Sequence, residues 1–166
     1  MGRAVSERND PNPREHPELE ALPDWPTRTI AVLATVDQGP HAIPVSAPQR
    51  AGDRRILLSL RHDRGSLTRL RSQPRVALAV LTEGNIAFTA RGHARIVRDR
   101  LAGASDYAAV AIDVERIDDH RQAEFRVESG IDRSWVDEDE RSALGRRVEL
   151  LRELATDDGV PSGSTA

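Results

Sequence analysis

The sequence predicts a mainly β (α+β) protein, a small antiparallel barrel of six to seven strands with two helices. Short apolar or alternating runs follow one another from Thr29 to Glu128, and turn residues separate them. A short helical segment interrupts these runs after the third strand. A longer amphipathic helix follows them near the C-terminus. Short strands in such close succession are typical of small barrels.

The first three strands are predicted at residues 29–36, 41–48 and 55–61. The first is apolar on both alternating faces, which is typical of a strand buried on two sides. In the second, Pro44 and Pro48 indicate an edge strand or a bulged one, because proline cannot donate a ladder hydrogen bond. The stretch QRAGD at residues 49–53 is expected to form the hairpin turn that leads into the third strand.

A short helix is predicted over residues 66–73, with Leu67 and Leu70 on its inner face. Either Ser66 or Asp63 could cap its N-terminus. Pro74 ends it, because the residue before a proline avoids the helical conformation.

Later strands are predicted at residues 75–81, 86–97 and 107–117, with a further candidate at 123–128. In the long strand 86–97, Phe88 lies on an apolar face and Arg91 and Arg95 on a polar one. Gly92 in its middle indicates a bend or a closely approaching backbone. The last helix, VDEDERSALGRRVELLREL, begins with acidic residues and carries an apolar stripe of Leu144, Val148 and Leu151.

These elements define one body at residues 21–156, between a flexible polar arm at 1–20 and a flexible tail at 157–166. Trp25 is expected to attach the entry segment to the body. The 166 residues are enough to bury a core without disulfides or metals.

The amino-acid composition excludes several kinds of catalytic and metal site. All 24 basic residues are arginine and the chain has no cysteine, so lysine Schiff bases, thiolate metal sites and cysteine nucleophiles are excluded. The net charge of -3 argues against a general nucleic-acid binder. The N-terminus has no apolar signal core, and no apolar run approaches the length of a membrane span. We therefore expect a cytoplasmic protein with no membrane or nucleic-acid partner.

Five of the 16 residues from Arg61 to Val76 are arginine. Arg61 ends a strand, and Arg64, Gly65 and Ser66 lead into the helix that carries Arg69. Free backbone amides, a hydroxyl and bidentate guanidinium groups together could hold a phosphate. The alternative is a solvated, arginine-rich surface helix.

The histidines carry less information. No two of them have the spacing of a helical metal pair, so we predict no metal site. No residue stands out as a protein acid, base or nucleophile, and the catalytic residues stay unassigned.

Three stretches in order carry a family resemblance: AVLATVDQGPHAIPV, RGSLTRLRSQPRVALAV and FTARGHARIV. Together they resemble the pyridoxamine 5'-phosphate oxidase-like split-barrel family, which includes flavin- and deazaflavin (F420)-dependent oxidoreductases. The resemblance spans Thr29 to Val97. It implies a split β-barrel that forms a homodimer, with FMN or F420 bound in a groove between the subunits.

By this resemblance the protein is an oxidoreductase that transfers a hydride to or from a small organic substrate. The second strand would lie near the cofactor ring, and the end of the third strand with the following helix would hold the phosphate. The cofactor-binding residues implied are His41, Ile43, Pro44, Val45, Ser59, Arg61, Arg64, Ser66 and Arg69. Two alternatives stay open, a non-catalytic carrier of haem, a tetrapyrrole or flavin, and an interaction module with an empty groove.

Overall fold

Seven antiparallel strands form one curled sheet in the computed structural model, which describes residues 16–157. The strands are β1 Ile30–Val36, β2 Pro40–Ser46, β3 Gln49–Arg50, β4 Arg55–Arg61, β5 Arg75–Thr82, β6 Ile86–Arg98 and β7 Tyr107–Asp119. Their order in the sheet is β2-β1-β5-β6-β7-β4-β3. β2 also contacts β4, although four strands separate them in the sheet, so the sheet closes on itself as a half-barrel. The predicted mainly β fold is confirmed.

Two α-helices accompany the sheet, α1 at Ser66–Ser72 and α2 at Glu138–Asp157. A single 3-10 turn, His62–Arg64, joins β4 to α1. The expected caps of α1 are wrong, because neither Ser66 nor Asp63 makes a side-chain capping bond. Instead Gly65 takes the N-cap position with a φ of 64°, a left-handed conformation that glycine adopts without strain. No helix within residues 16–157 is long and apolar enough to cross a membrane.

The short strand β3 lies where the sequence indicated a turn. Gln49 and Arg50 pair with Leu57 and Ile56 as β3, within the predicted hairpin turn 49–53. The candidate strand at 123–128 is wrong, since that segment is almost wholly exposed and pairs with no strand in the described part of the chain. Its contact with the body is local: Asn85 donates from its backbone to the Val127 carbonyl and accepts from the Val127 amide through Oδ1. A segment with no buried face has nothing to hold it in a sheet.

The core fills the inside of the half-barrel, and α2 covers a second, smaller cluster outside it. Leu67 and Leu70 of α1 are buried in the main core, as predicted. The stripe on α2 is also confirmed, with Leu144, Val148 and Leu151 all buried. Leu151 packs with Leu57 of β4, so α2 lies against the outer side of that strand.

β6 has the two faces that its alternation predicts, with Phe88 buried and Arg91 exposed. A Cβ at Gly92 would overlap the carbonyl oxygen of Asp113 and lie 3.0 Å from the Cα of Val114. A register shift falls between Arg91 and Gly92. Glycine is therefore required by the close approach of β7, as the sequence indicated.

The entry segment is attached as expected. Trp25 donates its Nε1 hydrogen to the Pro48 carbonyl at 2.8 Å, and its ring packs on Phe88 with centroids 5.5 Å apart. Of the predicted arm, residues 16–20 contact β7, where the Leu19 amide donates to the Ile117 carbonyl. Residues 1–15, and residues 158–166 of the predicted tail, lie outside the described range.

Candidate functional site

A cavity of about 530 Å³ lies between β2, the end of β4, the start of β7 and α2. We call it the α2 cavity. Seven of the nine residues implied by the family resemblance line it: His41, Ile43, Pro44, Val45, Ser59, Arg61 and Arg64. These residues come from segments that are distant in the sequence, and the curl of the sheet brings them together.

The β2 wall is apolar with one imidazole. Ile43 and Val45 turn their side chains inward, and Val45 is buried. His41 precedes them on the same face, and its Nδ1 is buried with no hydrogen-bond partner in the described part of the chain. β2 ends the sheet, so one side of its backbone has no ladder partner among residues 16–157. This wall offers apolar surface together with unused polar groups.

The β4 wall carries Ser59 and Arg61, which point outward on the same side as Leu57. Arg61 donates from Nε and Nη2 to the two carboxylate oxygens of Asp63, at 3.0 and 2.8 Å. This hydrogen bond holds the pKa of Asp63 below its ordinary value. Arg64 is exposed and lies 3.9 Å from the same carboxylate. The arginine cluster therefore already contains one counter-charge.

Ser66 and Arg69 do not line the cavity, in contrast to the expectation for a phosphate cradle. Ser66 is fully buried and its hydroxyl donates to the Arg64 carbonyl at 3.4 Å. The Nη1 of Arg69 lies 3.2 Å from the position of a Cβ at Gly65. Both residues follow the glycine N-cap and belong to α1, whose Leu67 packs into the core.

Tyr107, Leu144 and Arg147 also line the cavity, and sequence reasoning missed all three. A signal for Arg147 was present in the sequence. It lies three residues after Leu144 and four before Leu151, so it belongs to the buried stripe of α2. A charged residue within an apolar stripe indicates either a buried ion pair or a binding role.

Arg147 is 8% exposed, and its guanidinium carbon lies 3.9 Å from the centroid of the Tyr107 ring. Its Nε is buried without a hydrogen-bond partner among residues 16–157. Burial lowers the pKa of Arg147 from its ordinary value, because the charged form loses hydration. The side chain is thus packed against a ring, and within residues 16–157 no carboxylate forms an ion-pair contact with it, although Glu140 attracts it from further away.

The cavity suits an anion. Its ionisable lining consists of His41, Tyr107 and the arginines at positions 61, 64 and 147, and none of the described residues that line it is acidic. In a partly dehydrated cavity such charges interact strongly with an oxyanion.

The other described histidines serve local contacts. His62 has its Nε2 2.7 Å from the Asp99 carbonyl oxygen, and His93 has its Nδ1 2.7 Å from Glu115. Between residues 16 and 157 no three histidine, aspartate or glutamate side chains group as metal ligands would. The prediction of no metal site stays a prediction.

Known structures share this fold. A Lactobacillus delbrueckii protein named after pyridoxamine 5'-phosphate oxidase is 13% identical with a TM-score of 0.53, over 63% of this chain and 98% of its own. A FAD-binding protein from Mesorhizobium loti is 14% identical with a TM-score of 0.45, over 54% of this chain and 83% of its own. A haem-binding protein from Mycobacterium smegmatis is 19% identical with a TM-score of 0.45, over 55% of this chain and 48% of its own. The likeness to the Lactobacillus delbrueckii protein shows a shared fold.

At the sequence level, no curated protein matches the chain. The family model of pyridoxamine 5'-phosphate oxidase matches residues 16–133. That range holds all seven strands and every wall of the α2 cavity except α2 itself. Since the match covers well over half of the sequence, the chain belongs to the pyridoxamine 5'-phosphate oxidase family.

Proposed function

We propose that this protein is an FMN- or F420-dependent oxidoreductase that transfers a hydride to or from a small organic substrate. The cofactor would bind in the α2 cavity. One observation carries the proposal: a single cavity collects seven of the nine residues to which the family resemblance assigns the cofactor. Their assembly from β2, β4 and the 3-10 turn supports one shared binding role.

The residues present fit such a cofactor. The cavity volume of about 530 Å³ lies in the range of small-molecule sites. Two buried nitrogens, His41 Nδ1 and Arg147 Nε, have no partner within the described residues. Because buried polar atoms in folded proteins are nearly always hydrogen-bonded, both indicate a polar ligand.

When bound, the cofactor would supply the hydride chemistry, which no side chain of the protein can provide. Ile43 and Val45 would cover the face of its ring and exclude water. The unpaired backbone edge of β2 would hydrogen-bond the polar rim of the ring. Arg61 and Arg64 would bind its phosphate, at the opposite wall from β2. Binding and orientation are the roles of these residues, and none is assigned as a proton donor.

A homodimer with the cofactor at its interface is part of this proposal, and the outer face of the sheet supports it. Val32 of β1 pairs with Pro44 of β2 on one side and with Ala79 of β5 on the other. Val32 is 36% exposed and Leu81 of β5 is 51% exposed. Pro44 belongs both to this face and to the cavity rim, so a second subunit on the face would close the cavity.

A non-catalytic carrier of haem, a tetrapyrrole or flavin is the second candidate. The unpartnered Nδ1 of His41 among residues 16–157 is the observation that favours it, since imidazole is a common axial ligand of haem iron. A carrier of this kind would depend on His41 more than on the arginines.

Titration of the purified protein with FMN, F420 and haem tests the two candidate functions. We expect saturable binding of FMN or F420. Binding is measured through the absorption band of the cofactor, which lies at about 450 nm for free FMN and about 420 nm for free F420. His41→Ala should then weaken this binding without abolishing it. Haem binding that His41→Ala abolishes would favour the carrier. If none of the three ligands binds, the cofactor proposal is wrong and an interaction module with an empty groove remains.

A further inference from the structure

We propose that Arg147 is an oxyanion-binding residue of the α2 cavity, and that the ligand places a carboxylate or phosphate group beside Tyr107. The inference rests on the proposed function in one respect: it takes the cavity as the ligand site. It adds a binding group from α2, which lies beyond the matched residues 16–133. The ligand is thereby expected to carry a carboxylate, which is planar, or a phosphate, which is tetrahedral.

Arg147 is buried and, among residues 16–157, has no carboxylate in ion-pair contact, and this is the first argument. Arg147 is 8% exposed, and no hydrogen bond or ion pair to it is found between residues 16 and 157. Arginine cannot lose its proton in a protein, so its charge must be balanced in another way. An unpaired buried charge destabilises a fold, and a ligand that enters the open cavity would supply the missing partner.

The contact with Tyr107 is the second argument. A guanidinium packed 3.9 Å over an aromatic ring is attracted to the ring face and held in one orientation. The ring face is not an oxygen acceptor, so this contact supplies none of the N–H···O hydrogen bonds that the guanidinium can make. The contact therefore orients the side chain and leaves its donors available to a bidentate acceptor.

The arginines of the cavity are not equivalent, and this is the third argument. The guanidinium carbon of Arg61 lies 5.9 Å from the centroid of the same Tyr107 ring, but Arg61 already donates two hydrogen bonds to Asp63. Arg64 is exposed to water and close to the same aspartate. Among the described residues Glu140 attracts Arg147 without an ion-pair contact, and burial removes much of the hydration of the guanidinium, so an incoming oxyanion gains most by binding there.

The chain offers a sharp test, because Tyr107 is its single tyrosine. Protein that incorporates tyrosine labelled with 13C at the ζ carbon alone gives one NMR signal from the cavity wall. Wild type, Arg147→Met and Arg146→Met are each titrated with inorganic phosphate, with ionic strength held constant by chloride. Arg146 is the matched control, because it is the neighbouring arginine on α2 and is exposed.

We expect phosphate to shift the Tyr107 signal saturably in wild type and in Arg146→Met. In Arg147→Met the affinity should fall at least about tenfold, as for a lost charge-assisted hydrogen bond. A wild-type signal that phosphate leaves unmoved overturns the inference, whether or not the variants fold. So does an Arg147→Met titration equal to that of wild type. If Arg147→Met does not fold, Arg147→Gln takes its place in the comparison.

Repeating the titration on protein saturated with FMN or with F420 identifies the source of the oxyanion. If phosphate still shifts the signal, Arg147 binds the anionic group of a second ligand, the substrate. If the cofactor blocks the shift, the group belongs to the cofactor itself. If the protein binds phosphate but neither FMN nor F420, the proposed function is wrong and the role of Arg147 is supported. If it binds FMN or F420 but phosphate does not shift the Tyr107 signal, the role of Arg147 is wrong and the proposed function is supported.

Discussion

Arg61, which lines the α2 cavity, forms a bidentate ion pair with Asp63, with N–O distances of 3.0 and 2.8 Å. The aspartate lies within the stretch whose arginines prompted the phosphate hypothesis. Both side chains are largely exposed, so the pair itself adds little stability. Its effect is on the ligand, because a phosphate must share Arg61 with a carboxylate.

Replacing Arg61 tests whether it binds the cofactor phosphate. Arg61→Gln should weaken FMN or F420 binding about tenfold or more, since one charge-assisted hydrogen bond is lost. Isothermal titration measures this directly. Arg71→Gln is the control, because Arg71 pairs with Asp99 at 3.2 Å and does not line the cavity. Equal affinities for both variants and wild type would show that the arginines form only a solvated face.

The partner substitution should act in the opposite direction. Asp63→Asn removes the competing carboxylate and should strengthen binding of the phosphate about two- to fivefold, the effect of one exposed ion pair. The same titration checks it, with riboflavin as the ligand without phosphate. A gain for riboflavin equal to that for FMN would contradict the assignment of the phosphate to Arg61.

Asp118 should make the fold sensitive to acid. Burial of this carboxyl opposes its ionisation, but hydrogen bonds from Arg116 and Arg91 outweigh that effect and hold its pKa below the ordinary value. The folded-state pKa is thus lower than the unfolded one, so the carboxylate stabilises the protein above about pH 4. That stability is lost as the pH falls through the folded-state value.

Chemical denaturation at several pH values measures this dependence. Asp118→Asn should lower the free energy of unfolding by about 1–3 kcal/mol at pH 7 and flatten its decline in acid. Asp53→Asn is the control, since Asp53 is 76% exposed and should change stability by less than about 0.5 kcal/mol. An acid profile that is identical in wild type and Asp118→Asn would disprove the role of this carboxylate.

Two glycines should respond to alanine with opposite signs. Gly92→Ala should destabilise the protein by at least about 1–3 kcal/mol, the usual cost of overpacking, because the new methyl group would overlap the Asp113 carbonyl. Gly145→Ala, in α2 with open space around it, should stabilise the protein by up to about 1 kcal/mol. The melting temperatures of the two variants, compared with that of wild type, measure both effects. A harmless Gly92→Ala would mean that β7 does not approach β6 as closely as described.

The outer face of the sheet should mediate dimerisation. Leu81→Arg places a charge on the apolar face that includes Val32 and Ala79, and we expect it to convert a dimer into a monomer. Light scattering at micromolar concentration measures the mass. Val136→Arg, at a fully exposed position in the segment before α2, should remain dimeric. A wild-type monomer near 18 kDa would contradict the interfacial cofactor site.

The sequence alone was sufficient for most of the secondary structure and for the buried faces. Leu67 and Leu70 on α1, and Leu144, Val148 and Leu151 on α2, follow from apolar spacing, because burial of one helix face imposes its period on the chain. Gly92 was recognisable because a glycine inside a long strand often marks a bend or a closely approaching backbone. The order of motifs from Thr29 to Val97 also indicated the family that the wider match establishes.

Contacts between distant segments were decided by the tertiary structure alone. Periodicity shows that a face is buried, but it does not say which element covers it. Gln49–Arg50 became a strand because Leu57 and Ile56 were available to pair, whereas residues 123–128 found no such partner within the described range. The meeting of Arg147 with Tyr107 depends on where α2 docks on β4, a long-range packing choice that no local pattern encodes.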